Sequence, residues 1–213
     1  MIGEIFLDIN EIISKVEDYQ AKPMDNKGEY AVLIPLIFDD GQWKIIYEFR
    51  AMDLKRQPGE ISFPGGRVEK GESFKQAAVR ETMEELMINR KNINLIGELD
   101  YLVSNGNYTI YCFMGLITGL ELKDIKPNPD EVDHIFTVPL DFFLDNRPDE
   151  YFLDVITRRN EEFPYNLIPN GDKYDFSSTG KHSVLFYHYE DYNIWGYTAK
   201  MTRRFIDIIK DLD

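Results

Sequence analysis

Glu81, Glu84 and Glu85 are the residues of this 213-residue chain best placed to do chemistry together. They stand at i, i+3 and i+4, and at 3.6 residues per turn an α-helix puts all three on one face, with Val79, Met83 and Leu86 pointing the other way. Carboxylates crowded in this manner repel one another, which costs stability unless a cation sits among them. An oxygen-only donor set suits a hard divalent ion, magnesium or manganese. A solvated helix face carries the same kind of triplet, so the spacing alone leaves both readings open.

The residues upstream decide between them. Phe63-Pro64-Gly65-Gly66 contains two glycines that let the backbone turn sharply and approach a ligand closely. From Gly66, five residues lead to Glu72 and seven more to Arg80-Glu81, followed by Thr82-Met83-Glu84-Glu85-Leu86-Met87-Ile88. This pattern resembles the Nudix box: glycine, five residues, glutamate, seven residues, then Arg-Glu-apolar-any-Glu-Glu-any-Gly-apolar. Every charged position is filled; Met87 stands where the family has glycine. The resemblance implies an α+β fold in which a mixed β-sheet is sandwiched between helices. It also implies metal-dependent hydrolysis of a diphosphate linkage. By the same resemblance the Gly65 carbonyl and the carboxylates of Glu81, Glu84 and Glu85 bind Mg2+ or Mn2+. Arg80 and Glu72 orient that cluster, and Glu81 serves as base or ligand. Glu131, in Pro129-Asp130-Glu131-Val132, falls where related enzymes often carry an additional acidic ligand; a solvated loop acid is the alternative.

The stretch before the box bears on substrate. Arg50-Ala51, three residues, Lys55, three residues, Gly59, three residues and Phe63-Pro64-Gly65-Gly66 resembles the signature of the coenzyme A diphosphatases within the Nudix family. There the basic residue follows a Leu-Leu-Thr-like strand and the second cation is arginine. Here the strand reads Ile46-Tyr47-Glu48-Phe49, and Lys55 keeps the charge without the bidentate fork. Ala31 to Leu36 and Ile194 to Ala199 resemble the same subfamily. Arg50, Lys55, Arg56 and Arg67 are the candidate substrate-binding cations, and Lys70 is a further one near the box. Other Nudix activities, on ADP-ribose or a nucleoside triphosphate, use the same metal helix. A non-catalytic nucleotide-binding domain would have no reason to retain the costly acidic cluster.

The elements that must hold these residues follow from periodicity. Ile5, Ile9, Ile12, Ile13, Val16 and Tyr19 predict an amphipathic, packing helix within residues 1–22. Ala31 to Phe38 and Trp43 to Phe49 predict a hairpin about Asp39-Asp40-Gly41, in which one of Tyr47 and Phe49 is core. Ser73 and Gln76 form a capping-box signal for a helix running to about Met87. Strands are predicted over 93–102, 109–116 and 133–138, then a helix over 139–144, an irregular stretch over 145–180, a strand over 184–189 and a closing helix over 194–212. The expected organisation is one domain over 1–213, with a core at 30–145, the box at 66–88 and a C-terminal extension completing the fold.

Composition sets bounds. With 38 acidic against 24 basic residues the formal charge is -14, which repels nucleic acid and anionic membrane surfaces, so a phosphorylated substrate must be met by local cations. The expected partner is a small nucleoside diphosphate derivative such as coenzyme A, with no nucleic acid, no membrane and a homodimer allowed. One cysteine, Cys112, and no bilayer-length apolar run fit a reducing cytoplasm. Met1-Ile2 lacks the glycine that myristoylation needs, and Asp211-Leu212-Asp213 is no peroxisomal address. His134, His182 and His188 have no ligand-like spacing and are assigned no role.

Overall fold

The computed structural model describes residues 8–156, 160–173 and 180–211. Strand β1 (Gly28–Asp39) turns into β2 (Gln42–Arg50) through Asp40 and Gly41, both at positive φ, the geometry that a tight two-residue hairpin demands. β1 changes partner along its length. Its first half pairs with β4 (Gly65–Arg67), its last residues pair with β2, and Pro35, with no N–H to donate, lies at the changeover. On its other edge β1 runs parallel to β7 (Tyr108–Ile117), which pairs in turn with β5 (Ile93–Glu98) and β6 (Leu102–Val103). β2 also pairs with β3 (Ile61–Ser62) and with β8 (Val132–Pro139), giving a mixed eight-stranded sheet.

Alternation along these strands loads both faces of the sheet. Ala31, Leu33, Ile37 and Ile46 pack against Ala77, Ala78, Val79 and Leu86 of α2 (Phe74–Leu86). Ile34, Leu36, Ile45 and Tyr47 face Phe143 of α3 (Leu140–Asp145) and Ala199, Phe205 and Ile206 of α4 (Gly196–Ile209). The sheet is therefore sandwiched between helices, as expected. Tyr47 is the core member of its pair: fully buried, stacked on Phe63, and bonded through its hydroxyl to Thr202 Oγ1 at 2.9 Å.

Four expectations are corrected. The N-terminal helix, α1 (Ile9–Glu17), forms but buries nothing; Ile9, Ile12, Ile13 and Val16 are all exposed. Ile5 lies outside the described residues. The stretch predicted irregular contains β9 (Asp149–Val155), which joins β10 (Gly180–Tyr189) and β11 (Tyr192–Trp195) in a separate antiparallel sheet. β9 shows no polar and apolar alternation because both its faces are exposed; its pairing with β10 makes it a strand. The closing helix begins at Gly196, since Ile194 and Trp195 pair with Tyr187 and Phe186. The strand predicted over 93–102 is interrupted between β5 and β6, with a bulge between Leu95 and Gly97.

Candidate functional site

α2 starts where the capping signal put it: the Ser73 N–H donates to Gln76 Oε1 at 2.9 Å. Its C-cap is Met87 at φ 52°, ψ 44°, a left-handed conformation in which the Ile88 N–H reaches the Met83 carbonyl at 3.2 Å. The helix lies against β4, and the two glycines there serve contact. Gly65 and Gly66 are extended and paired with Val32 and Ala31, so the sharp turn expected of them is absent. A Cβ at Gly65 would come within 2.5 Å of the Ala31 carbonyl oxygen, and one at Gly66 within 2.3 Å of Glu81 Oε1. Only glycine lets this strand approach the carboxylates so closely.

Arg80 ties the acids together. Its Nε and Nη2 donate to the two carboxylate oxygens of Glu72 at 2.9 and 3.1 Å, and Nη1 donates to Glu81 Oε1 at 2.8 Å and Glu84 Oε2 at 3.1 Å. Nη2 also reaches the Arg67 carbonyl at 3.2 Å. This bidentate clasp holds Glu72 below the usual carboxylate range, and the surrounding acids raise Arg80 in return. Glu85 is buried and accepts the Gly65 N–H at Oε2, 2.8 Å away. Burial pushes its carboxyl up to about 8; the Gly65 N–H opposes this, and the Glu81 and Glu131 charges add to it. Burial also raises Glu81, against the pull of Arg80. Glu84 is exposed.

Glu131 joins the group. It immediately precedes β8, accepts Asn128 Nδ2 at 3.3 Å, and its charge acts on Glu48, Glu81 and Glu85. Glu48 is the acid that the sequence reading passed over. It sits in β2, fully buried, and both carboxylate oxygens lack a hydrogen-bond partner. Burial and the Glu85 charge raise it well above the usual range. A lone glutamate among Ile45, Ile46, Tyr47 and Phe49 carries no spacing signal of its own. Its depth in the fold was the missing information.

The donors present fit a divalent cation: several glutamate oxygens, and a buried carboxylate whose oxygens accept no hydrogen bond. Among the described residues no three acidic, His or Cys side chains are already gathered as a metal cage. Arg80 engages Glu81 and Glu84, and Gly65 engages Glu85.

A cavity of about 350 Å³ opens beside Gly65, walled by Arg50, Val32, Phe63, Trp195 and Tyr197. Arg50 borders both this cavity and the acids, since its charge acts on Glu48 and Glu85. Lys55 and Arg56 are exposed on the loop after β2 and do not line the cavity. Arg67 is exposed in a separate polar cleft with Lys22 and Lys27. His182, to which spacing gave no role, lines the cavity.

Residues 29–160 match the NUDIX domain family. The chain is 33% identical over 177 residues to the Nudix hydrolase NudL of Photorhabdus laumondii, covering 82% of this chain and 81% of that one. It is 30% identical over 139 residues to the peroxisomal coenzyme A diphosphatase of Mus musculus (65% and 57% covered) and 33% identical over 119 residues to Nudix hydrolase 3 of Caenorhabditis elegans (55% and 50% covered). The chain thus spans 57% and 50% of the length of these last two, respectively. In fold it is similar to a MutT/nudix family protein from Enterococcus faecalis, with a TM-score of 0.51 at 12% identity over 97% of this chain and 71% of that one. No helix among the described residues is long and apolar enough to cross a membrane. Since the family match takes in more than half of the residues, box included, the chain belongs to the Nudix family.

Proposed function

We propose that this chain is a divalent-metal-dependent pyrophosphohydrolase that cleaves coenzyme A and its derivatives into 3',5'-ADP and 4'-phosphopantetheine or its acyl form. The observation that carries the reading is the position of Arg50, which borders the acids on one side and the cavity on the other. A diphosphate lying across Arg50 has its reacting phosphorus at the glutamates and one of the two halves it joins in the cavity. The signature from Arg50 to Phe63 and the resemblance to the mouse coenzyme A diphosphatase support the choice of substrate.

Glu81, Glu84, Glu85 and Glu131, with the Gly65 carbonyl, hold Mg2+ or Mn2+. The ion, when bound, supplies a nucleophilic water at neutral pH and offsets charge on the phosphate oxygens. Arg80 keeps Glu81 and Glu84 in position, and Glu72 keeps Arg80 in position. The Gly65 N–H orients Glu85. Arg50 pairs with the diphosphate, and the walls formed by Phe63, Trp195 and Tyr197 exclude water around it. The oxygen of a water molecule bonds to one phosphorus, the bridging P–O bond breaks with its electron pair on the leaving phosphate, the protons of the water pass to the product phosphates or to solvent, and the thiol or thioester end is untouched.

The test compares coenzyme A with dephospho-coenzyme A. With Arg50 at the diphosphate, Arg50→Ala lowers kcat/KM on both by the same factor, roughly ten- to a hundredfold. A loss confined to coenzyme A would move Arg50 to the 3'-phosphate, and an unaffected variant would remove it from the site.

A further inference from the structure

Glu48 points to a metal ligand beyond those of the box, an inference that rests on the metal reading above. It follows Ile46 by two residues, so in a strand it shares the face of β2 that looks toward α2. It has no exposed surface, and neither carboxylate oxygen has a hydrogen-bond partner. A carboxylate in such a place is costly unless it is paired or coordinates a cation. The neighbours offer it no compensating charge. Glu85 lies within reach of a shared proton but is itself an acid whose charge opposes that of Glu48, as does that of Glu131, and Arg50, the opposing cation, makes no hydrogen bond to either oxygen. Packing does not explain the acid either, because Ile45, Ile46 and Tyr47 beside it are fully buried apolar or aromatic side chains.

We propose that Glu48 is a further ligand of the divalent cation, its carboxylate reaching from β2 toward Glu85, so that the ion is held between the sheet and the helix. Two elements then fix the ion's position, and the unsatisfied oxygens of Glu48 gain a partner whenever the ion is bound.

Mn2+ itself is the probe. The full chain, stripped with EDTA and dialysed, is titrated with Mn2+ while free ion is read by electron paramagnetic resonance and the melting temperature is followed in parallel. Wild type, Glu48→Gln and Glu85→Gln are compared. The proposal expects Glu48→Gln to weaken Mn2+ binding by about tenfold or more and to shrink the Mn2+-induced rise in Tm. Its metal-free form should melt no lower than wild type. Equal Mn2+ affinity and an equal rise in Tm in wild type and Glu48→Gln, with binding lost in Glu85→Gln, would overturn the role of Glu48 and leave the metal reading standing. Failure of wild type to bind Mn2+ would remove both. If the glutamine variant does not fold, Glu48→Thr, smaller and able to donate to a neighbouring carboxylate, gives the same comparison.

Discussion

Replacing Glu85 with glutamine removes one charge from the most crowded part of the site while keeping an oxygen for the Gly65 N–H, which now binds Glu85 Oε2 at 2.8 Å. The Glu85 carboxyl stands at about 8 against an ordinary value of 4.5, chiefly through burial. A folded-state value above the unfolded one means that the fold favours the protonated form. The stability this group contributes is complete below about pH 4.5 and is lost as pH rises through about 8. At pH 7 the metal-free protein therefore carries a penalty on the order of 3 kcal/mol, and the buried amide of glutamine returns part of it. Metal-free Glu85→Gln should be more stable than wild type by on the order of 2 kcal/mol at pH 8, and its stability should fall less between pH 5 and pH 8.5. Urea unfolding in EDTA across that range, for both proteins, measures this directly. Saturating Mg2+ should restore wild-type stability and leave the variant nearly unchanged. A Glu85→Gln protein that is less stable than wild type at pH 8 without metal would refute the electrostatic reasoning.

Other expectations follow from the same geometry. Glu84→Gln and Glu85→Gln should each lower kcat by at least about a hundredfold with the fold intact, as steady-state kinetics and circular dichroism will report; near-normal turnover in either would contradict their role. Arg80→Lys keeps the charge but loses the fork onto Glu72, Glu81 and Glu84, so kcat should drop about ten- to a hundredfold and the Mg2+ requirement should rise. Met87→Gly relieves a left-handed residue that is exposed and distant from the acids in role, and should add about 1 kcal/mol of stability in urea unfolding with kcat unchanged.

Much of this was legible before any coordinates. Spacing placed Glu81 and Glu85 together because a helix has a fixed pitch, and Ser73 with Gln76 located its start within one residue. The hairpin was legible because Asp40-Gly41 accepts the positive φ of its turn. Long-range pairing was not. β9 forms only against β10, and β11 takes Ile194 and Trp195 from a helix that their apolar spacing otherwise continues. The exposure of α1 was hidden for the same reason: periodicity reports an apolar face and is silent on what covers it. In the site, the charged residues of the box came from motif, whereas Gly65 and Gly66 came with one reason that holds, close approach, and one that does not, a sharp turn. They are needed because Ala31 and Glu81 press against them, a fact of strand pairing. Glu48 was illegible because a single acid in an apolar run reads as a solvent-facing strand position until the strand is seen to be buried on both faces.

We propose that the glutamates of α2 direct a divalent ion at the diphosphate of coenzyme A. The most direct test incubates the full chain with Mg2+ and, separately, coenzyme A, an acyl-coenzyme A, ADP-ribose and nucleoside triphosphates, with products resolved by chromatography and an EDTA control beside each. The expected dominant products are 3',5'-ADP with 4'-phosphopantetheine or its acyl form, abolished by EDTA and restored by Mg2+ or Mn2+. Brisk cleavage of ADP-ribose with no 4'-phosphopantetheine from coenzyme A would contradict the substrate, and cleavage surviving exhaustive chelation would contradict the metal.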